Sequence, residues 1–236
     1  MTNGASPERF HPRYRELHAE LLTRPYPVVS GQVVVSHRAV HYEPGEAAAH
    51  RAAVEVLSGR EEVVATPVEQ GILMLRFGAV ELRIEPHEEF TTFTVFAPQV
   101  GPPFSGSAMD GLPEGLLDGV PGRIFAAVEI ASELVANGES GTANTMERVS
   151  EYFGQERVVG GWVIDRMASV WSHFHLDERG ATRFLIQIHR LTSGRYGRLL
   201  QRLLEIETYR MAAMLNLPLA RDVLAGIREL EDRRVR

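Results

Sequence analysis

The sequence predicts an α+β fold: two β-α-β-β halves, ferredoxin-like in element order and in pseudo-repeat, followed by C-terminal helices. Three observations predict it. Each half places β-branched runs around one helical stripe. A Pro- and Gly-dense stretch, "PQVGPPFSGSAMDGLPEGLLDGVPG", stands between them. After Ser193 the strand signals stop and helical periodicity takes over. The expected units are 1–97 (first half with an N-terminal helix), 98–122 (connector), 123–192 (second half) and 193–236 (helical extension).

Taken in order, "HPRYRELHAELLTRP" predicts a helix with Leu17, Leu21 and Leu22 on one face, stopped by Pro25. "QVVVSHRAVHY" is β-branched and short, hence a strand. In "GEAAAHRAAVEVLSGR", Ala49, Ala53, Val56 and Leu57 form a helical stripe closed by Gly59. "GILMLRFG" and "AVELRIEPHEEFTTFTVFAP" predict two or three antiparallel strands, with "EPHEEF" as a hairpin turn.

The second half repeats the order. "RIFAAVEIA" predicts a strand. "TANTMERVSEYFG" predicts a helix capped by Thr145, with Met146, Val149 and Phe153 on one face. "GWVIDRMASVWSHFHLD" and "GATRFLIQIHRL" predict strands around a turn at "DERG". An offset of about 90 residues lays Val33 on Arg123, Val80 on Val170 and Glu85 on His175, so the order of elements carries the repeat more than the letters do. Two such halves imply a sandwich pair or a barrel-like arrangement. In the tail, Leu199, Leu203, Ile206 and Ala213 follow one face and Leu200, Leu204, Met211 and Leu215 a neighbouring one. Two apolar faces predict packing on both the sheet and a partner, hence a homodimer. Asn216 and Pro218 mark a break, and the helical pattern still running at Arg236 implies a longer protein.

A net charge of −6 argues against nucleic acid as a partner. The absence of cysteine excludes disulfides, thiolate metal sites and thiol nucleophiles. No h-region and no run of roughly 18 apolar residues is present, so a cytoplasmic, soluble head is expected. No G-x-S-x-G, P-loop, G-x-G-x-x-G or H-E-x-x-H pattern occurs, and no cofactor is expected.

Two polar stretches remain as candidates. On a strand Glu85, His87 and Glu89 would share a face and offer two carboxylates and an imidazole, although Pro86 favours an edge or turn. His173 and His175 have the same spacing, with Asp177 next. If the halves pair closely, His87, Glu89, His173 and His175 converge into a metal or small-ligand site. On the tail, Glu207 and Arg210 are i, i+3 partners, and Glu205 sits nearer the apolar side.

Several segments carry a resemblance. "HPRYRELHAELLTRP", "VVSHRAVH", "EPHEEFTTFT" and "GRLLQRLLEIETYRMAAMLNLPLAR" resemble, in order and spacing, the bacterial family called domain of unknown function 3422, whose members are described as membrane-anchored. The resemblance places Glu85, His87, Glu89, Phe90 and Thr91 in a signature strand. Arg202, Glu205, Glu207, Thr208, Tyr209 and Arg210 fall in a signature helix. It implies a head at the cytoplasmic face of the inner membrane, with an anchor beyond Arg236. Leu22 and the "HFH" around His173 depart from its usual wording, which weakens the metal reading. The expected function is a regulatory or interaction module that self-associates through its C-terminal helices. The alternative is a metal- or small-ligand-binding enzyme with its site between the halves.

Overall fold

The computed structural model describes residues 25–59, 64–67, 71–135 and 143–215, and positions 217, 218, 221, 223, 224 and 227. The N-terminal helix expected before Pro25 and Asn216 of the expected break lie outside the described residues, while Leu217 and Pro218, where the break was also expected, are helical.

The chain is α+β. The first part contains β1 (Val33–His41), α1 (Ala47–Ser58), β2 (Val64–Pro67), β3 (Leu73–Phe77), β4 (Val80–Pro86) and β5 (Phe90–Pro98). After the connector come β6 (Arg123–Leu134), α2 (Ala143–Tyr152), β7 (Val159–Val163), β8 (Ala168–Ser172) and β9 (Thr182–Ile188). The helix α3 spans Ser193–Leu215. β2 and the split of the "GWVIDRMASVWS" segment into β7 and β8 were not expected. A tight turn makes that split, with Ile164, Asp165 and Arg166 all at positive φ.

The expected closing of one half over the other does not occur. Among the described residues, nine strands form one continuous sheet in the order β2-β3-β4-β5-β1-β6-β9-β8-β7. The junction is an antiparallel pairing of β1 with β6, from Val35 opposite Ile130 to His41 opposite Arg123. Two units with free first strands merge edge to edge here, which removes two exposed edges at once. The units also differ in strand count. Four strands return from α1 to close antiparallel on β1, whereas three return from α2 to close parallel on β6. An even meander reverses direction and an odd one does not.

Both faces of the central strands are covered, so their sequences read as near-continuous apolar or Thr runs. Thr91 through Phe96 are buried without interruption. One face carries Val33, Val35, Phe96, Val128, Ile130, Phe184 and Ile186, packed under Leu199, Leu200 and Leu204 of α3. Gly197 permits that seat, because a Cβ there would overlap the Pro27 carbonyl oxygen. The opposite face is covered in two pieces. Leu75, Leu82, Ile84, Phe93 and Val95 pack with Leu57 of α1 and with Ala108 and Leu116 of the connector. Ala131 and Leu185 pack with Val149 and Phe153 of the second part.

On α1 the buried positions are His50 and Leu57, flanked by half-buried Val54, while Val56 is 65% exposed. Of the stripe expected over Ala49, Ala53, Val56 and Leu57, Leu57 is buried and Ala53 half-buried, whereas Ala49 and Val56 are exposed, so the helix is turned toward His50. Alanine carries little apolar surface, and His50 takes the inward place because both its ring nitrogens find partners.

Candidate functional site

Alternation along β1, β4 and β5 puts polar side chains under α3. Strand pairing sets Arg83 opposite Thr94, and Thr94 opposite His37, so these three form one cross-strand row. Glu85 lies opposite Thr92 in the next row. Gln201, Glu205, Thr208 and Tyr209 of α3 close the other side. The result is a cleft with a cavity of about 40 Å³, room for about three waters.

His37 sits at its floor, buried, and binds at both ends. Its Nδ1 lies 2.8 Å from Thr94 Oγ1 and its Nε2 lies 2.9 Å from Thr208 Oγ1. One nitrogen donates and the other accepts, so the two threonines take opposite roles. Burial pushes the imidazole down to about 3, against the pull of Glu85. His37 is therefore a neutral latch between sheet and helix at ordinary pH. Arg83 bridges Glu85 Oε2 at 3.3 Å and donates to the Pro25 carbonyl at 2.7 Å.

The hairpin tip resolves the Glu85, His87 and Glu89 question. β4 ends at Pro86, and residues 87–89 form the turn before Phe90. His87 N–H donates to the Phe90 carbonyl at 2.8 Å. The Tyr42 hydroxyl holds the His87 and Glu88 carbonyls at 3.3 and 3.4 Å. Glu85 and His87 line the cleft, with the His87 ring stacked on Phe90. Glu89 is exposed at the tip. Thr91 points to the opposite face, where its hydroxyl donates to His50 Nε2 at 2.8 Å while His50 Nδ1 donates to the Pro121 carbonyl.

The other candidates fall elsewhere. β8 stops at Ser172, so His173 and His175 are on a loop. Phe174 between them is in the left-handed region. His173 is buried against Phe153 on the face opposite the cleft, and burial lowers its pKa. His175 is exposed and pairs with Glu156 at 2.8 Å. The four residues expected to converge thus divide between the two faces of the sheet. Among the described residues, no cluster of three or more His, Asp or Glu side chains is arranged to hold a metal ion. On α3, Glu207 and Arg210 do pair, at 2.6 Å, with Glu207 buried. Glu205 Oε1 accepts from Gln201 at 2.8 Å.

The opposite face holds a second cluster that sequence reading missed. Ser107 caps a short 3₁₀ turn, Ala108–Gly111, with Asp110 closing a capping box. This turn lies over the β1–β6 junction. There Glu129 accepts from Ser36 at 2.5 Å, Arg38 at 3.0 Å and Ser107 at 3.1 Å. Burial raises the Glu129 carboxyl above the usual carboxylate range, and those three donors offset only part of the rise. Beside it opens a cavity of about 110 Å³ lined by Ser107, Glu129, Asp177, Arg179, Arg183 and Phe104, among others. The one available signal was S-x-x-D within the connector, which looked instead like a flexible Pro/Gly loop.

The family model described as "Protein of unknown function (DUF3422)" matches residues 9–236. No curated protein and no solved structure matches the chain.

Proposed function

The chain belongs to the DUF3422 family, and from that premise we propose that it is a regulatory or interaction module whose copies pair through the outer face of α3 and the helical positions beyond it. The observation that carries this is the division of α3 into two apolar sides. Leu199, Leu200 and Leu204 are buried on the sheet, whereas Ile206 is 62% exposed and Met214 and Leu215 are also exposed. Val223, Leu224 and Ile227 are exposed as well.

Ile206, Ala213, Leu217, Leu224 and Ile227 fall on the a and d positions of a heptad register. Such a seam is complementary to a second copy of itself, which makes this chain its own best-fitting partner. Arg210 occupies an a position, and its pairing with Glu207 keeps its charge engaged beside the seam.

Sedimentation velocity at tens of micromolar tests the reading. The wild type is expected as a dimer, and the double variant Ile206→Glu, Leu224→Glu as a monomer with unchanged circular dichroism. A monomeric wild type would defeat it. No helix among the described residues is long and apolar enough to cross a membrane. Placement at the inner-membrane face is supported by the family resemblance alone and is tested by fractionating cells that express the full-length protein. A ligand-binding reading is favoured by one observation, the polar cavity beside Glu129.

A further inference from the structure

That cavity is lined by an arginine, Arg183, whose guanidinium stacks on aromatic rings and forms no ion pair among the described residues. Arg183 projects from β9 toward the connector. Its guanidinium carbon lies 5.1 Å from the Phe104 ring centre and 5.4 Å from that of Phe153, so two aromatic faces hold it. An Nη atom lies 3.4 Å from His173 Nε2. Its Nε is shielded from solvent and has no hydrogen-bond partner. No carboxylate pairs with Arg183 among the described residues.

The neighbouring charges are already spent. Glu129 is bound by Ser36, Arg38 and Ser107. Arg179 pairs with Asp110 at 3.0 Å. Asp177 Oδ1 accepts the Arg179 and Ala181 backbone N–H groups, tying its own turn. Arg183 forms no ion pair among the described residues and keeps an unmatched donor, and it lines a cavity with room for several non-hydrogen atoms. A buried donor left open costs free energy unless something fills the place. Phe104 adds a second cost. It is a bulky residue at φ 63°, and that strained backbone lays its ring against the guanidinium.

We propose that this cavity is a binding site for a small oxyanion, a carboxylate or phosphate group, received by Arg183 between Phe104 and Phe153. The planar guanidinium matches both groups in a way a single water does not, since water satisfies one N–H but leaves the charge uncompensated. Ser105 and Ser107 also line the cavity, their hydroxyls already donated to the Val100 carbonyl and to Glu129, which leaves the guanidinium as the group that receives the anion.

The test is a titration of the nitrogen-15-labelled chain with inorganic phosphate and, separately, with acetate, at matched ionic strength in chloride. The readout is the arginine Nε–H resonance that is missing from Arg183→Lys. Saturable movement of that resonance by at least one probe is expected, and the probe that saturates distinguishes phosphate from carboxylate. Arg183→Gln is expected to weaken binding about tenfold or more. Failure of both probes to saturate in the wild type overturns the proposal, as does wild-type affinity in R183Q. If an arginine variant fails to fold, the resonance is assigned through bonds in the wild type, and its response decides the matter.

Discussion

Beneath α3, His37 uses both ring nitrogens, on Thr94 and Thr208. Beneath the connector, Arg183 keeps a shielded Nε with no partner. The two clusters sit on opposite faces of one sheet, and both draw on strand positions in its middle. The first is closed: His37 joins Thr94 of the sheet to Thr208 of the helix at 2.8 and 2.9 Å, and the space left over is about 40 Å³. The second is open: a charge stands beside a cavity of about 110 Å³. A closed polar network contributes to stability and specifies how elements dock. An open one forgoes stability at its own position, which is how binding sites differ from structural posts. β1, β4, β5 and α3 meet at the closed cluster, which seats α3 on the sheet.

The largest expected effect breaks the closed cluster. His37→Ala leaves Thr94 and Thr208 without their shared partner and opens a void beneath α3. It is expected to cost about 3 kcal/mol in urea unfolding, since lost hydrogen bonding and lost packing add. A loss below about 1 kcal/mol would show that the latch is dispensable and the contrast unfounded.

Acid sharpens the same point. His37 is held down to about 3 in the fold against 6.5 for the free side chain, with burial as the cause. Below pH 6.5 the unfolded chain takes a proton that the folded chain refuses, so stability falls as pH falls toward 3. Above 6.5 the group contributes no pH dependence. The slope is about 1.4 kcal/mol per pH unit, or about 2 kcal/mol at pH 5 relative to neutrality. His37→Gln retains a donor and an acceptor but does not titrate, so its unfolding midpoints between pH 5 and 7 are expected to vary less than those of the wild type. Parallel profiles for the two proteins would remove His37 as the source.

The contrast also explains what sequence reading reached. Strand and helix positions were legible because β-branched runs and helical stripes report local burial. The α3 division was legible only in part: Leu200 and Leu204 do share the sheet side and Ile206 is exposed, but Leu199, expected with Ile206, is buried on the sheet, and Leu215, expected with Leu200, is exposed. The joining of β1 to β6 was not legible. Pairing of two strands some 90 residues apart leaves no periodic mark in either, and the order of elements alone fits a closed pair of halves equally well. Nor was the convergence of His37 with Thr208, because a histidine between two threonines is polar at all three positions. The expected His87 and His173 site failed at one step: a strand assigned through His173 ends at Ser172, and the two histidines separate to opposite faces.

The smallest expected effect is at the open cluster, and there smallness is the informative result. Arg183→Gln removes two ring contacts, each worth about 0.5–1 kcal/mol. It also removes a shielded charge that has no carboxylate partner, which offsets part of that loss. The net change in urea unfolding is expected to stay within about 1 kcal/mol, well under the loss for His37→Ala. The measurement belongs in chloride buffer without phosphate or acetate, so that no oxyanion stabilises the wild type by occupancy. Loss equal to that of His37→Ala would make Arg183 a structural post like His37. In that case the unmatched Nε would be a defect tolerated by the fold, and the difference between the two faces would be one of size alone.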